Sequence, residues 1–293
     1  MKRFFAILAL VAALVVAWPV RAQPEPAPLD VMSFNIRYGT ANDGENRWPL
    51  RRGLLFEVVG NLAPDIIGVQ EALDGQIQEM VEAVPGYAVV GVGRDDGRTR
   101  GEYAAILYRA TRFRVDRSGT FWFSDTPDVV ASTSWGNSIT RICTWARLVD
   151  RDGRAFWVYN VHLDHQSQPS RVRSAALLAE RIRTRPAPDE PVIVTGDFNA
   201  GEDNPAIHQL VSGSDGRPPL LRDTFRVRHP AEGTVGTFTG FKLDATTGDK
   251  IDYVLAGPGV EVLDAAIVRT SRDGRYPSDH FPVTARVVFT SVR

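Results

Sequence analysis

The polar and apolar positions of this chain follow two periods. Short runs rich in Val, Ile and aromatic residues, bounded by Gly, Pro or Asp, predict strands at Leu29–Asn35, Asp65–Glu71, Tyr87–Gly93, Tyr103–Arg109, Ile139–Val149, Ala155–Leu163, Pro191–Gly196, Ile251–Ala256 and Pro282–Phe289. Helical spacing is rarer. Leu54, Leu55, Val58, Val59 and Leu62 form one apolar face, and Ile77, Met80, Val81 and Val84 form a second. Val172, Ala175, Ala176, Ala179 and Ile182 form a third, with Ser170 as its expected N-cap. Many strands and few helices in mixed order predict two packed sheets with helices on the outer faces. No internal repeat or long linker follows Pro28, so residues 29–293 read as one catalytic domain.

The N-terminus changes where that domain begins. Lys2 and Arg3 precede an uncharged apolar run, Phe4 to Trp18, and Val20-Arg21-Ala22 offers small residues where a signal peptidase reads. Residues 1–22 are therefore expected to be a signal peptide and 23–28 a Pro-rich leader, with an uncleaved anchor as the other reading. The apolar run is short for a membrane span. A secreted or periplasmic protein, without stable membrane insertion after cleavage, is expected. Removing Lys2, Arg3 and Arg21 takes the formal charge from −1 to −4, which disfavours a tight grip on long nucleic acid. The one cysteine, Cys143, lies in an apolar segment, so no intrachain disulfide forms and the thiol is expected to be buried and inert.

The candidate chemistry lies where apolar strands end in polar residues. Asn35 follows Val31-Met32-Ser33-Phe34, and Glu71 ends Ile66 to Gln70. His162 and Asp164 close Trp157 to Val161, and Asp197 and Asn199 follow Val192 to Gly196. Asp252 sits inside Lys250 to Leu255, and Asp279-His280 precede Phe281-Pro282-Val283. One such residue is usually a solvated turn. Six strands ending this way point to a shared site, because so many isolated buried charges would be costly. Oxygen donors of this kind suit Mg²⁺ or Mn²⁺, with Ca²⁺ also compatible, whereas the single cysteine excludes a thiolate zinc site.

In order, Ser33-Phe34-Asn35-Ile36-Arg37, Val69-Gln70-Glu71, Asn160-Val161-His162, Gly196-Asp197-Phe198-Asn199, Ile251-Asp252-Tyr253 and Ser278-Asp279-His280-Phe281-Pro282-Val283 span almost all of the mature chain. This set resembles the endonuclease/exonuclease/phosphatase superfamily. The resemblance implies a deoxyribonuclease-I-like four-layer α/β/β/α sandwich with the site where strand ends of both sheets meet. It implies Glu71 as the main metal ligand with Asn35 and Asp279 close by. Asp197 would activate or orient water, Asn199 would hold the phosphate or the metal's surroundings, and His280 backed by Asp252 would contact the phosphate. His162 resembles a second histidine paired with Glu102, and Arg141 an active-site arginine. His165, His208 and His229 are expected on the surface.

The stretches Tyr38–Arg52, expected as a long loop, and Phe121–Asn137 differ from the familiar nucleases and resemble a bacterial branch. Their Trp48, Trp122 and Trp135, beside Arg47, either stack on a base, sugar or lipid head group or anchor the loops. The resemblance implies a phosphate-ester substrate: nucleic acid, nucleotide or phospholipid head group. The leading expectation is a monomeric, metal-dependent phosphodiesterase or nuclease working through an activated water. The alternative is a phosphomonoesterase or lipid-head-group phosphodiesterase on the same site. A catalytically dead binding module would have lost part of the motif set.

Overall fold

The computed structural model describes residues 27–212, 218–233, 235–243 and 246–290. The expected signal peptide and most of the Pro-rich leader lie outside the described residues. In chain order the elements are β1 (Leu29–Asn35), α1 (Trp48–Leu62), β2 (Ile66–Ala72), α2 (Asp74–Ala83), β3 (Tyr87–Val90), β4 (Tyr103–Arg109), β5 (Phe113–Trp122), β6 (Ile142–Asp150) and β7 (Ala155–His162). They continue with α3 (Gln168–Arg183), β8 (Val192–Asp197), α4 (Pro205–Val211), β9 (Arg222–Asp223), α5 (Thr224–Arg228), β10 (Asp252–Ala256), β11 (Val260–Ile267) and β12 (Val283–Phe289). Two six-stranded sheets result, ordered β11-β12-β1-β2-β4-β3 and β5-β6-β7-β8-β10-β9.

The layers follow from which faces are apolar. Between the sheets, Val31, Ile66, Ile106, Phe156, Val158, Ile193 and Val254 share one buried core. On the outer face of the first sheet, Leu55 and Val59 of α1 and Ile77 and Met80 of α2 pack on Met32, Phe34, Ile67 and Val69. On the outer face of the second, Ala175, Leu178, Ala179 and Ile182 of α3 cover Trp157, Tyr159, Val192 and Val194. This is the expected α/β/β/α sandwich. Cys143 is buried in that third cluster, and burial pushes its thiol well above the ordinary range.

Three local expectations change. Ser167, not Ser170, caps α3: its side chain accepts from the Ser170 backbone N–H, and Ser170 lies buried in the first turn. The stretch Tyr38–Arg52 is not all loop, because Trp48 opens α1 with Pro49 in its first turn, where a missing N–H costs nothing. The stretch from Phe121 begins as the end of β5, which pairs Phe121 with Cys143 and Trp122 with Ile142.

A polar bolt joins the sheets beneath the site. Asn160 on β7 donates to the carbonyls of Val69 (2.9 Å) and Ala105 (2.8 Å), and accepts from Gln70 Nε2 (2.7 Å) and Thr195 Oγ1 (3.0 Å). Ser33 Oγ accepts from the backbone N–H of Gly196 at 2.9 Å. The sheets approach so closely here that a Cβ on Gly68 would stand 2.0 Å from Thr195 Oγ1. With both sheets clamped at this depth, the strand ends just beyond are fixed relative to each other.

Candidate active site

The two parallel pairings set the site. β1 runs beside β2 with Asn35 opposite Gln70, and β7 runs beside β8 with His162 opposite Asp197. The carboxyl ends of all four strands therefore open at the same end of the sandwich. β10 enters antiparallel, with Asp252 opposite Asp197. Backbone irregularity aims the side chains. Glu71 sits at a bulge between Gln70 and Ala72 with φ of 59°, and Asn199 has φ of 47°. Non-glycine residues reach this region at a cost of roughly 1–2 kcal/mol, least for Asn.

At the centre, Asn35 Nδ2 donates to Glu71 Oε1 (3.0 Å) and Asp197 Oδ2 (2.9 Å), and lies 3.4 Å from His280 Nε2. The backbone N–H of Tyr38 donates to Glu71 Oε2 at 3.2 Å, and that of Asn199 to Asp197 Oδ1 at 2.9 Å. Arg37 makes a two-point contact with Asp43 and stands 3.8 Å from both Glu71 and Asp279. These residues open on a cavity of about 670 Å³, whose wall also includes Arg94, Glu102, Arg141, His162 and His165, with Tyr38, Ile139, Phe238 and Phe241 as apolar members. The cavity thus gathers Glu71, Asp197, Asn199, Asp279, His280, His162, Glu102 and Arg141, while Asn35 and Asp252 stand directly behind it.

The two histidines differ in protonation. His280 Nδ1 donates to Asp252 Oδ2 at 2.9 Å, and its Nε2 lies 3.9 Å from Asp197. Burial pushes its pKa down, but Asp252, Asp197 and Asp279 outweigh burial and hold it well above the usual range, so the ring is cationic. His162 Nε2 faces Arg141 Nη1 at 2.9 Å and Asp197 at 3.6 Å. A guanidinium can only donate, so this nitrogen accepts and the ring is neutral. Burial and Arg141 accordingly push its pKa well down. Glu102 stands 3.8 Å from His162 Nδ1, but its closer partner is Arg94 at 2.6 Å. Burial outweighs Arg94 and raises the Glu102 carboxyl. Burial, reinforced by Asp252 and opposed by His280, lifts Asp197 to about 7.

The donor chemistry decides what the site can hold. Single atoms of Glu71, His162 and Asp197 lie within 4.8 Å of one another, as do those of Asp197, Asp252 and His280. Both imidazoles are poor ligands as placed, since Arg141 occupies the free lone pair of His162 and His280 carries protons on both nitrogens. What remains is oxygen: the carboxylates of Glu71, Asp197 and Asp279, while the Asn35 amide turns its NH2 to the first two and its Oδ1 to the backbone N–H of Arg37 at 3.0 Å. Buried Asp252 Oδ1 has no hydrogen-bond partner among the described residues, its charge being met at Oδ2 by His280. This set fits a hard divalent cation.

The expected aromatic readers lie elsewhere. Trp48 is only 6% exposed; it packs in the α1 core, and its Nε1 donates to Glu79 at 2.9 Å. Trp122 is 4% exposed and donates to the carbonyl of Arg94 at 2.8 Å. Trp135 packs on the α3 side and donates to Asp125 at 2.7 Å. Arg47 is exposed and contacts Glu45 and the Gly44 carbonyl. None of the four lines the cavity. The residues that do, and that received no role from the sequence, include Arg37, Arg94, His165, Tyr38, Phe238 and Phe241. Arg37 stands two places beyond a strand-ending Asn, a readable cue. Phe238 and Phe241 sit outside any strand of periodic sequence; the Phe238–His280 bridge and the Thr239 and Gly240 N–H bonds to the Asp279 carbonyl bring them in.

A model of the Endonuclease/Exonuclease/phosphatase family matches residues 32–280. The chain belongs to the endonuclease/exonuclease/phosphatase family. Members of this family hydrolyse phosphate esters, and the chain is a phosphoester hydrolase. A family member from Bacteroides thetaiotaomicron superposes with a TM-score of 0.83 at 33% identity, covering 91% of this chain and all of that one. The mannosyl-6-phosphatase of Bacteroides thetaiotaomicron superposes at 0.80 and 34% identity, covering 89% and 100%. The human nocturnin catalytic domain, at 0.71 and 20% identity over 90% and 94%, shares the fold. An uncharacterized protein of Acanthamoeba polyphaga mimivirus is 30% identical over 184 residues, 59% of this chain and 68% of that protein.

Proposed function

We propose that this protein is an exported, divalent-metal-dependent phosphomonoesterase acting on small phosphorylated polyhydroxy compounds such as hexose phosphates. The observation that carries the reading is the size of the site, a cavity of about 670 Å³ over Glu71, Asp197, Asp279 and His280. That volume suits a ligand of a few rings at most. The likeness to a mannosyl-6-phosphatase at 34% identity, over the full length of that chain, supports it further. So does the acidic charge of the mature chain, which works against long polyanions.

The chemistry follows from the side chains. The ester's phosphoryl group would enter between Asp197 and His280, with Glu71 and Asp279 holding the cation and the Asn35 amide positioning Glu71 against Asp197. When bound, the cation, Mg²⁺ or Mn²⁺, supplies charge neutralisation and Lewis acidity toward a phosphoryl oxygen. Asp197, its carboxyl lifted to about 7, orients a water and takes its proton as the oxygen attacks phosphorus and the P–O bond to the alcohol breaks, the alcohol leaving with a proton from solvent. His280, kept cationic by Asp252, donates toward the phosphoryl oxygens as charge develops there. Asn199, its amide donating to the Leu163 carbonyl at 3.0 Å, is held at the same edge by Asp197. His162, 3.6 Å from Asp197, and Arg141 behind it stand at the same reacting end.

The test is phosphate release from mannose 6-phosphate and other hexose phosphates, compared with bis-p-nitrophenyl phosphate and plasmid DNA, with Asp197→Asn as control. Hexose phosphates should be turned over at least tenfold more efficiently than either diester. A preference for the diester or for DNA would favour the phosphodiesterase reading instead. For export, the mature protein should begin near Gln23 by mass spectrometry, and retention of Met1–Ala22 would mean an anchored enzyme.

A further inference from the structure

Arg141 is 3% exposed, yet one of its arms reaches an exposed residue. Nε lies 3.3 Å from Asp164 Oδ2, Nη1 2.9 Å from His162 Nε2, and Nη2 2.6 Å from His165 Nδ1. Because the guanidinium only donates, Nδ1 of His165 accepts, and the ring is neutral with its proton on Nε2. The ring lines the cavity, and among the described residues Nε2 has no hydrogen-bond partner. His165, an exposed residue of the cavity wall, therefore keeps one N–H of fixed tautomer, on Nε2, free for a ligand.

The segment that carries His165 is held as firmly as the ring. Asp164 Oδ1 accepts from the backbone N–H groups of Gln166 (2.9 Å) and Ser167 (2.6 Å), and Ser167 caps α3. Depth follows from the two arms of Arg141. One arm meets His162, which lies 3.6 Å from Asp197 at the reacting end; the other meets His165 toward the open side. With the phosphorus at Asp197, a group one guanidinium outward of that end would face the alcohol part of an ester. The apolar members of the same cavity, among them Phe238 at 50% exposure, suit the C–H face of a sugar ring.

We propose that His165 is a specificity-determining residue whose Nε2–H donates to a hydroxyl or ring oxygen in the alcohol portion of the substrate. The proposal rests on the phosphomonoesterase reading, and the experiment separates the two. Wild type, His165→Ala and His165→Gln are assayed on a hexose 6-phosphate and on phenyl phosphate, whose alcohol part has no oxygen acceptor. His165→Ala should lower the preference for hexose 6-phosphate over phenyl phosphate roughly three- to tenfold, the worth of one hydrogen bond, with the change in KM. His165→Gln, whose amide N–H can reach the place of Nε2, should restore part of the preference. Equal losses on both esters, or a loss confined to kcat, would overturn the proposal and leave His165 as a support for Arg141. If wild type turns over neither ester, the phosphomonoesterase reading fails. Calorimetric binding of the two esters to Asp197→Asn, with and without His165→Ala, then decides His165: an unchanged affinity ratio overturns the proposal and a fallen one sustains it.

Discussion

His162 and His280 flank the same oxygen of Asp197, at 3.6 and 3.9 Å, with opposite protonation. The difference is made by one neighbour each: Arg141, which only donates, and Asp252, which only accepts. Only the His280 side can meet negative charge growing on a phosphoryl group. Asp252→Asn keeps the shape and removes that charge. It should lower kcat roughly 10²- to 10⁴-fold, with circular dichroism unchanged. Retention of kcat would make the Asp252–His280 pair a structural contact. Both histidines and Asp252 were legible in the sequence, because each interrupts or ends an apolar run. The clamp of Arg141 on His162 and His165 was not. It depends on β6 lying antiparallel beside β7, which brings the residue before β6 opposite the segment after β7, and no local pattern encodes that pairing.

At the scale of elements, legibility tracked burial on both faces, with the half-buried edge strand β3 as an exception. β1, β2, β4, β7 and β8 are almost wholly buried, so their sequences are continuous apolar runs. β5 and β11 are edge strands with one partner each and mostly polar outer positions, and they left too weak a period to be read. Of the two readings left open for the tryptophans, Trp48 takes the anchoring one, buried at the start of a helix where a loop was expected. Arg51 is in fact buried, donating to the carbonyls of Ile36, Arg37, Asn46 and Pro277 and so tying α1 to the segments beside the site. Trp48→Ala should therefore cost about 3–5 kcal/mol of stability, read as a lowered Tm, with little change in kcat/KM per folded molecule. A selective loss of turnover at unchanged Tm would return Trp48 to the substrate side. Asn160→Leu should be worse than an ordinary core substitution. It strands Val69 O, Ala105 O, Gln70 and Thr195 at the sheet interface, at about 1–3 kcal/mol each where water cannot enter, so thermal unfolding should show a collapse in Tm or no soluble protein.

At the scale of the whole molecule, the sandwich brings Glu71, Asp197, Asp252 and Asp279 to one end, faced chiefly by Arg37 and a protonated His280. Burial, with Glu71 adding to it and His280 and Arg37 opposing, raises the Asp279 carboxyl, so the fold carries this crowding in its resting state. A cation that binds only the folded chain relieves the repulsion and stabilises the fold by mass action, about 2.7 kcal/mol at a hundredfold excess over its Kd. For a domain of this size each kcal/mol moves Tm by roughly 2–4 °C. Mg²⁺ or Mn²⁺ should thus raise Tm by several degrees, and EDTA should reverse the shift and abolish phosphate release. Glu71→Gln removes a carboxylate from the oxygen set while keeping an acceptor for the Tyr38 N–H, so it should shrink the metal-induced shift more than it changes the Tm of the metal-free protein. Full activity after exhaustive chelation would overturn the cation altogether. A metal-induced shift untouched by Glu71→Gln would move the cation away from Glu71, toward Asp197 and Asp279.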